Sequence, residues 1–300
     1  MKFISYRANG EETYGVYLEE EKTVWNLQTL EASVSGERTL PDTLLEAIAA
    51  GEELVICAQK WLRTAEEKEK KEAAVSAEEV EWLAPIPRPS KNIMCIGKNY
   101  RDHAIEMGGE ESIPSNLMVF TKAPTAVIAA NELIPAYTEL TEALDYEGEL
   151  AVIIGRRGKG ISKEAALDYI FGYTIINDVT ARDIQKRHKQ FFLGKSLDGT
   201  CPMGPWIVSK DEVQDPHQLN IETKVNGDIR QQSNTAHFIF PIDDIIATLS
   251  KGMTLEPGDI IATGTPAGVG QGMNPPGLLK SGDVVEIKIE QIGTLTNKVQ

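Results

Sequence analysis

The chain is 300 residues long and 41% hydrophobic, enough for a sizeable core in one large or two modest domains, so a largely disordered chain is excluded. A net charge of −15, with a pI near 4.8, argues against a general nucleic-acid or anionic-membrane binder. Cys57, Cys95 and Cys201 lie far apart and form no CxxC pair, which argues against a disulfide framework or a zinc cluster and fits a reducing compartment.

The first residues, from Met1 to Arg7, lack the apolar stretch of a signal peptide, and no apolar run approaches membrane-spanning length. The expectation is a soluble, cytoplasmic protein. Short strands are expected at 1–6, 13–17 and 23–25, followed by helices over 41–50 and 54–71. The second helix ends in a charge-rich run at 66–71 that reads as a solvated face. Pro85, Pro87 and Pro89 then alternate through 84–90, as an extended linker or a docked arm. A boundary is placed there, dividing a small N-terminal α/β domain, 1–84, from a larger domain, 85–300.

Beyond the boundary the texture changes to short strands and glycine turns. Strands are expected at 92–96 and 118–121, with a helix over 99–107 and a loop through Gly108, Gly109 and Pro114 between them. Segment 145–155 is a β-branched run stopped by a glycine, so it reads as a strand. Ser162 is a candidate cap for a short helix. A strand over 171–177 ends at Asp178, and a helix is expected over 180–188. Asn226-Gly227 joins strands at 221–225 and 229–231 through a type I′ turn. A helix over 241–251 and two similar turn-and-strand units, 256–261 and 280–285, complete the chain. The class is strand-rich α+β.

Side chains alternate along a strand, so Glu147 and Glu149 point the same way, roughly 7 Å apart. They are either a solvated strand face or one side of a cation site. Gly148 between them leaves the backbone open to a close approach. Asp178 is either a helix cap or a third ligand; Thr180 with Asp183 offers its own cap, which leaves Asp178 free. Three carboxylates with no nearby His or Cys select a hard cation, Mg²⁺ or Mn²⁺. Such a set keeps about one negative charge over, so an anionic substrate needs further cations nearby.

His103 and Glu106 are three residues apart on one helix face, either a surface pair or a general base with its orienting carboxylate. Lys195 follows Gly194 in a segment that is no phosphate loop, because its first glycine would fall at Lys189; it is a surface lysine or an oxyanion clamp. The loop from Gly264 to Gly270 is either a tight turn or a set of backbone amides that hold a carboxylate with the Thr265 hydroxyl. His188 sits in a basic helix end, His217 in a polar turn, and His237 near an apolar strand, where it reads as a packed residue.

Five stretches, taken together, resemble the fumarylacetoacetate hydrolase family. They are Gly97-Lys98-Asn99-Tyr100-Arg101-Asp102-His103, Asp145-Tyr146-Glu147-Gly148-Glu149, Asn177-Asp178-Val179-Thr180-Ala181-Arg182-Asp183, Gly194-Lys195-Ser196 and Thr263-Gly264-Thr265-Pro266. They keep the family's order from about residue 85 to the C-terminus. The resemblance implies a mixed β-sandwich roll, usually a homodimer, with a divalent metal in its mouth. It implies Glu147, Glu149 and Asp178 as metal ligands, His103 and Glu106 as a lid dyad, and Lys195 as the lysine of the site. Gln185 would contact the substrate, Thr265 would belong to the loop that holds its carboxylate, and Lys98 falls where several members carry an arginine.

The implied activity is metal-dependent cleavage of a small 2-oxo acid, with oxaloacetate decarboxylation to pyruvate and CO₂ placed first. Hydrolysis of an acylpyruvate or fumarylpyruvate, isomerisation of an unsaturated 2-oxo diacid, and a metal-dependent binding or scaffold protein are the competing readings.

Overall fold

The computed structural model describes residues 1–8 and 10–300; the His188 side chain lies outside the description. Strands dominate, in two main sheets that pack face to face. Among the described residues the larger sheet has twelve strands. Its central strand, Gly148–Ile154, is buried along its whole length, which removes the solvated-face reading of this segment. It pairs antiparallel with Ile170–Asn177 on one side and with Ile260–Ala262 on the other. Ile93–Gly97 and Met118–Lys122 continue the sheet beyond Ile260–Ala262. Cys201–Ser209 continues it beyond Ile170–Asn177 and pairs with Lys2–Ala8.

The N-terminal strands are therefore added to the same sheet, in the order Lys2–Ala8, Glu11–Leu18, Thr23–Asn26 and Ala74–Ser76. The proline stretch is docked against them, with the Ser5 hydroxyl donating to Pro85 O at 2.7 Å. The second sheet, of five strands, contains the hairpin Asn220–Val225 and Asp228–Asn234. Its turn has positive φ at both Asn226 and Gly227, as a type I′ turn requires.

Alternation along Gly148–Ile154 divides the core. Leu150, Val152 and Ile154 face the second sheet, whereas Ala151 and Ile153 face a core shared with Phe3, Leu27, Leu54 and Ala58 from the N-terminal segment. Gly148 lies on the first face. A Cβ there would sit 2.3 Å from Thr223 Oγ1, so only glycine lets the two sheets close over the end of this strand.

Several local expectations change. The helix expected over 54–71 breaks into Glu52–Thr64 and Glu67–Ala73. An additional helix, Leu27–Ser35, starts directly after a strand, with Asn26 accepting from Thr29 N as its cap. Ser162 precedes a 3₁₀ turn, Lys163–Tyr169, and its side chain makes no cap. Thr180–Ala181 is a short strand against Leu144–Asp145, and the helix begins only at Arg182. The Thr180–Asp183 cap is not formed: the Thr180 hydroxyl donates to Asp178 O, and Asp183 accepts from Thr141. His237 is exposed, bonded to Ser233, and not packed. No helix among the described residues is long and apolar enough to cross a membrane.

Candidate functional site

Strand register explains how three distant carboxylates meet. Gly148 pairs with Asn177, so Glu147 and Asp178 are neighbours just beyond the ladder, where Asp178 N donates to Glu147 O at 2.8 Å. Glu149 is two residues further along the strand and points to the same face. Each of the three offers an oxygen, and these atoms all lie within 4.8 Å of one another. All three side chains are buried.

Burying so much like charge is tolerable only with counter-charge at hand. Lys195 Nζ donates to Glu147 Oε2 at 2.9 Å and to Asp178 Oδ2 at 2.7 Å. Its burial removes the surface-lysine reading. Burial opposes its charge, but Asp178 and Glu147 outweigh burial and raise its pKa. Two further buried cations were not singled out from the sequence. Lys122 Nζ lies 2.8 Å from Asp178 Oδ1 and donates to Val179 O. Arg182 Nη1 lies 2.7 Å from Glu147 Oε1, while its Nε donates to Asp145 Oδ2 at 2.8 Å.

The two glutamates, alike in type and face, titrate in opposite directions. Burial opposes ionisation of Glu147, but Lys195, Arg182 and His103 outweigh it and hold its pKa at about 2. For Glu149, burial adds to repulsion from Asp178 and Glu147, and its pKa is pushed well above the usual range. The charge of Lys195 and a hydrogen bond from Gly264 N to Glu149 Oε2 at 2.7 Å compensate only in part.

The site fits a hard divalent cation by two observations. Its donors are oxygens alone. Asp178 Oδ1 is buried without a properly directed hydrogen bond, since Lys122 is close but off the favoured direction. Four buried carboxylates, Asp145 included, face three buried cations. With all four carboxylates ionised, a bound divalent ion would therefore leave one surplus positive charge, which is suited to an anion.

The helix Arg101–Glu106 carries His103 and Glu106, with His103 Nδ1 3.1 Å from Glu106 Oε2. His103 is buried, so this is not a surface pair. Asn99 fixes the start of the helix, donating to Phe240 O and Thr263 O. Glu106 Oε1 accepts from Gly268 N at 2.9 Å.

The glycine loop does hold carboxylates, but they are the protein's own. Gly264 N serves Glu149, Gly268 N serves Glu106, and Gly270 N and Gln271 N serve Asp145. The Thr265 hydroxyl is also engaged, donating to Gly148 O and accepting from Gln231. This loop therefore ties the triad, the dyad and the Arg182 anchor into one frame. Gly268 permits it, because a Cβ there would lie 1.9 Å from Arg230 O.

One cavity of about 370 Å³ brings these parts together. Glu147, Glu149, His103, Lys195, Gln185 and Thr265 line it; Lys98, Lys186 and Lys189 add cations, and Met107, Met118, Phe120 and Phe191 form an apolar wall.

Residues 92–300 match the family described as fumarylacetoacetate (FAA) hydrolase, C-terminal. The whole chain is 52% identical to a Bacillus subtilis protein named oxaloacetate tautomerase YisK, over 301 residues and the full length of both. Its fold is similar to the solved fumarylacetoacetate hydrolase of Exiguobacterium antarcticum, with a TM-score of 0.81 and 42% identity, covering 100% of this chain and 99% of that one. It is also similar to maleylpyruvate hydrolase of Sphingobium sp. SYK-6 in complex with manganese(II) and pyruvate, with a TM-score of 0.77 and 29% identity, covering 100% of this chain and 98% of that one.

Proposed function

The chain belongs to the fumarylacetoacetate hydrolase family, and we propose that within it this protein interconverts the keto and enol forms of oxaloacetate or a closely related 2-oxo diacid. The observation that carries this reading is one cavity lined by Glu147 and Glu149 of the buried acidic triad, by His103 of the His–Glu dyad and by a ring of cations, with Asp178 and Glu106 directly behind the lining. A divalent ion held by Glu147, Glu149 and Asp178 would supply Lewis-acid stabilisation of negative charge on a substrate oxygen.

The chain's own groups do the rest. Keto–enol interconversion moves one proton between C3 and the C2 oxygen. His103 has Nδ1 committed to Glu106, so Nε2 is the ring nitrogen left to take or give that proton. Gly268 holds the other Glu106 oxygen, so the carboxylate stays in place to orient the ring and to stabilise its protonated form. Lys195 remains an ammonium and adds positive charge beside the developing enolate oxygen. Lys98, Lys186 and Lys189 suit the second carboxylate of a diacid.

A second reading is decarboxylation of oxaloacetate, which leaves the same electron pair on C3 once CO₂ departs. The apolar wall of Met107, Met118, Phe120 and Phe191 favours it, because a carboxylate in apolar surroundings loses more solvation than neutral CO₂ does.

The test follows enol absorbance and CO₂ release from oxaloacetate, and acetylpyruvate hydrolysis in parallel, each with Mn²⁺ and with EDTA. Faster enol loss with Mn²⁺ and without matching CO₂ supports the tautomerase reading, and matched CO₂ supports decarboxylation. If no substrate is turned over faster with metal, the protein is a binder and not a 2-oxo acid enzyme.

A further inference from the structure

Arg182 and Gln185 lie three residues apart on one face of the helix Arg182–His188, and both line the cavity. Arg182 is held from behind: Nε donates to Asp145 Oδ2, and Asp145 is itself fixed by the N–H groups of Tyr146, Gly270 and Gln271. On the other side Nη1 reaches Glu147 Oε1 at 2.7 Å and donates to Gln185 Oε1 at 3.3 Å. A guanidinium can only donate, so the Gln185 amide must turn its oxygen to Arg182. That leaves the two N–H donors of Gln185 Nε2 for the cavity.

We propose that Arg182 locks the Gln185 amide in this orientation, making Gln185 a donor-only contact that selects a 2-oxo oxygen over a 2-hydroxyl. Arg182 is a positioning residue here, acting through Gln185. The inference rests on the 2-oxo acid reading above and adds how the C2 oxygen is recognised. A keto or enolate oxygen needs only a donor, and either N–H of Gln185 Nε2 can supply it. A hydroxyl has a proton to place as well, and Gln185 so oriented offers it no acceptor. The penalty for leaving a polar group unmatched in a site of this kind is the source of the discrimination.

The experiment measures binding of pyruvate and of L-lactate to the Mn²⁺-loaded protein by calorimetry. Both probes carry one carboxylate, so an added charge weakens both alike and their affinity ratio isolates the donor–acceptor match. Gln185→Glu is close to isosteric, and the retained Arg182 holds one carboxylate oxygen while the other faces the cavity as an acceptor. The pyruvate-to-lactate affinity ratio should fall by roughly 10- to 100-fold. Arg182→Lys keeps the cation but not the planar fork, and should also lower the ratio. In a Gln185→Leu background, the same Arg182→Lys change should leave the ratio where Gln185→Leu put it, because the coupling runs through the amide.

Melting curves confirm that each variant is folded before binding is read. An unchanged ratio in Gln185→Glu overturns the inference while leaving the 2-oxo acid reading intact. So does a further drop when Arg182→Lys is added to Gln185→Leu. Wild-type protein that binds neither probe overturns the 2-oxo acid reading, and this inference with it.

Discussion

At the floor of the cavity Glu147, Arg182 and Lys195, and behind them Asp178 and Lys122, are all buried, and each has a charged partner within 3 Å. At its mouth Lys186 and Lys189 stand in solvent and Lys98 is half-buried. The floor is built from strand ends whose positions follow from sheet register; the mouth is built from a short helix end and two residues at positive φ, Lys98 and Lys189. A charge on the floor is strongly coupled to its neighbours, because little water screens it. A charge at the mouth acts mainly through a screened field. Changes to the floor should therefore decide whether the site exists, and changes to the mouth should tune what it prefers.

The largest effect is expected at Glu149. Glu149→Gln keeps an acceptor for Gly264 N but removes one of the three charged donors. Mn²⁺ uptake and all metal-dependent turnover should be abolished. The metal-free variant should nevertheless melt higher than the wild type at neutral pH. Burial and the repulsion from Asp178 and Glu147 raise the Glu149 pKa, so in the fold its ionised form is disfavoured. The metal-free wild type accordingly loses stability as pH rises through the window from the ordinary glutamate value, 4.5, to the raised one. A variant that melts lower than the wild type without metal and is still stabilised by Mn²⁺ would break the floor half of the comparison.

His103 stands between floor and mouth. His103→Ala should slow enol–keto interconversion roughly 10²- to 10⁴-fold while leaving Mn²⁺ affinity close to wild type. Turnover and metal titrations on the same preparation check this, and parallel loss of both would make His103 part of the metal site.

A pH titration of metal binding sharpens the contrast between the two glutamates. Glu147, held at about 2 by Lys195, Arg182 and His103 against burial, enters metal binding already ionised. Glu149 holds a proton at pH values where an exposed glutamate has lost its own, so an incoming ion must expel it. Mn²⁺ affinity should fall by up to about tenfold per pH unit on the acid side of the raised pKa. Calorimetry in buffers of different protonation enthalpy should find about one proton released per ion. No proton release would mean that Glu149 is already ionised in the metal-free site.

How far the sequence could be read follows the same division. That Glu147 and Glu149 share one strand face and that Asp178 ends another strand is legible, because period-2 alternation and a strand end are local properties of the chain; those properties alone leave a solvated face and a cation site both open. The family resemblance placed His103, Glu106, Lys195 and Gln185 beside them. Lys122 and Arg182 were missed because a lysine at the end of a short strand, or an arginine at a helix start, looks the same whether exposed or buried. Only the pairing of Gly148 with Asn177, and the packing of Met118–Lys122 into the same sheet, shows what those cations face. For the glycine loop the sequence leaves a tight turn and an anion holder equally open, and the structure shows its amides holding carboxylates. Its actual anions, Glu149, Glu106 and Asp145, come from residues more than a hundred positions away, beyond any local pattern.

The smallest effect is expected at the mouth, and it is the one that tests whether the mouth is separable from the floor. Lys98→Gln, Lys186→Gln and Lys189→Gln each remove a cation that lines the cavity without contacting the triad. A screened contact of this kind contributes up to about 1 kcal/mol, so each change should raise KM for oxaloacetate two- to fivefold. The same changes should do less to a monoanionic 2-oxo acid such as pyruvate, which has no second carboxylate to meet them. The effect should shrink as salt is raised, since the Debye length falls from about 10 Å at 0.1 M to about 3 Å at 1 M. kcat and Mn²⁺ affinity should hold near wild type throughout. If a mouth lysine instead lowers kcat and resists salt, it is coupled to the buried charges as Lys195 is, and the division between a floor that makes the site and a mouth that tunes it no longer holds.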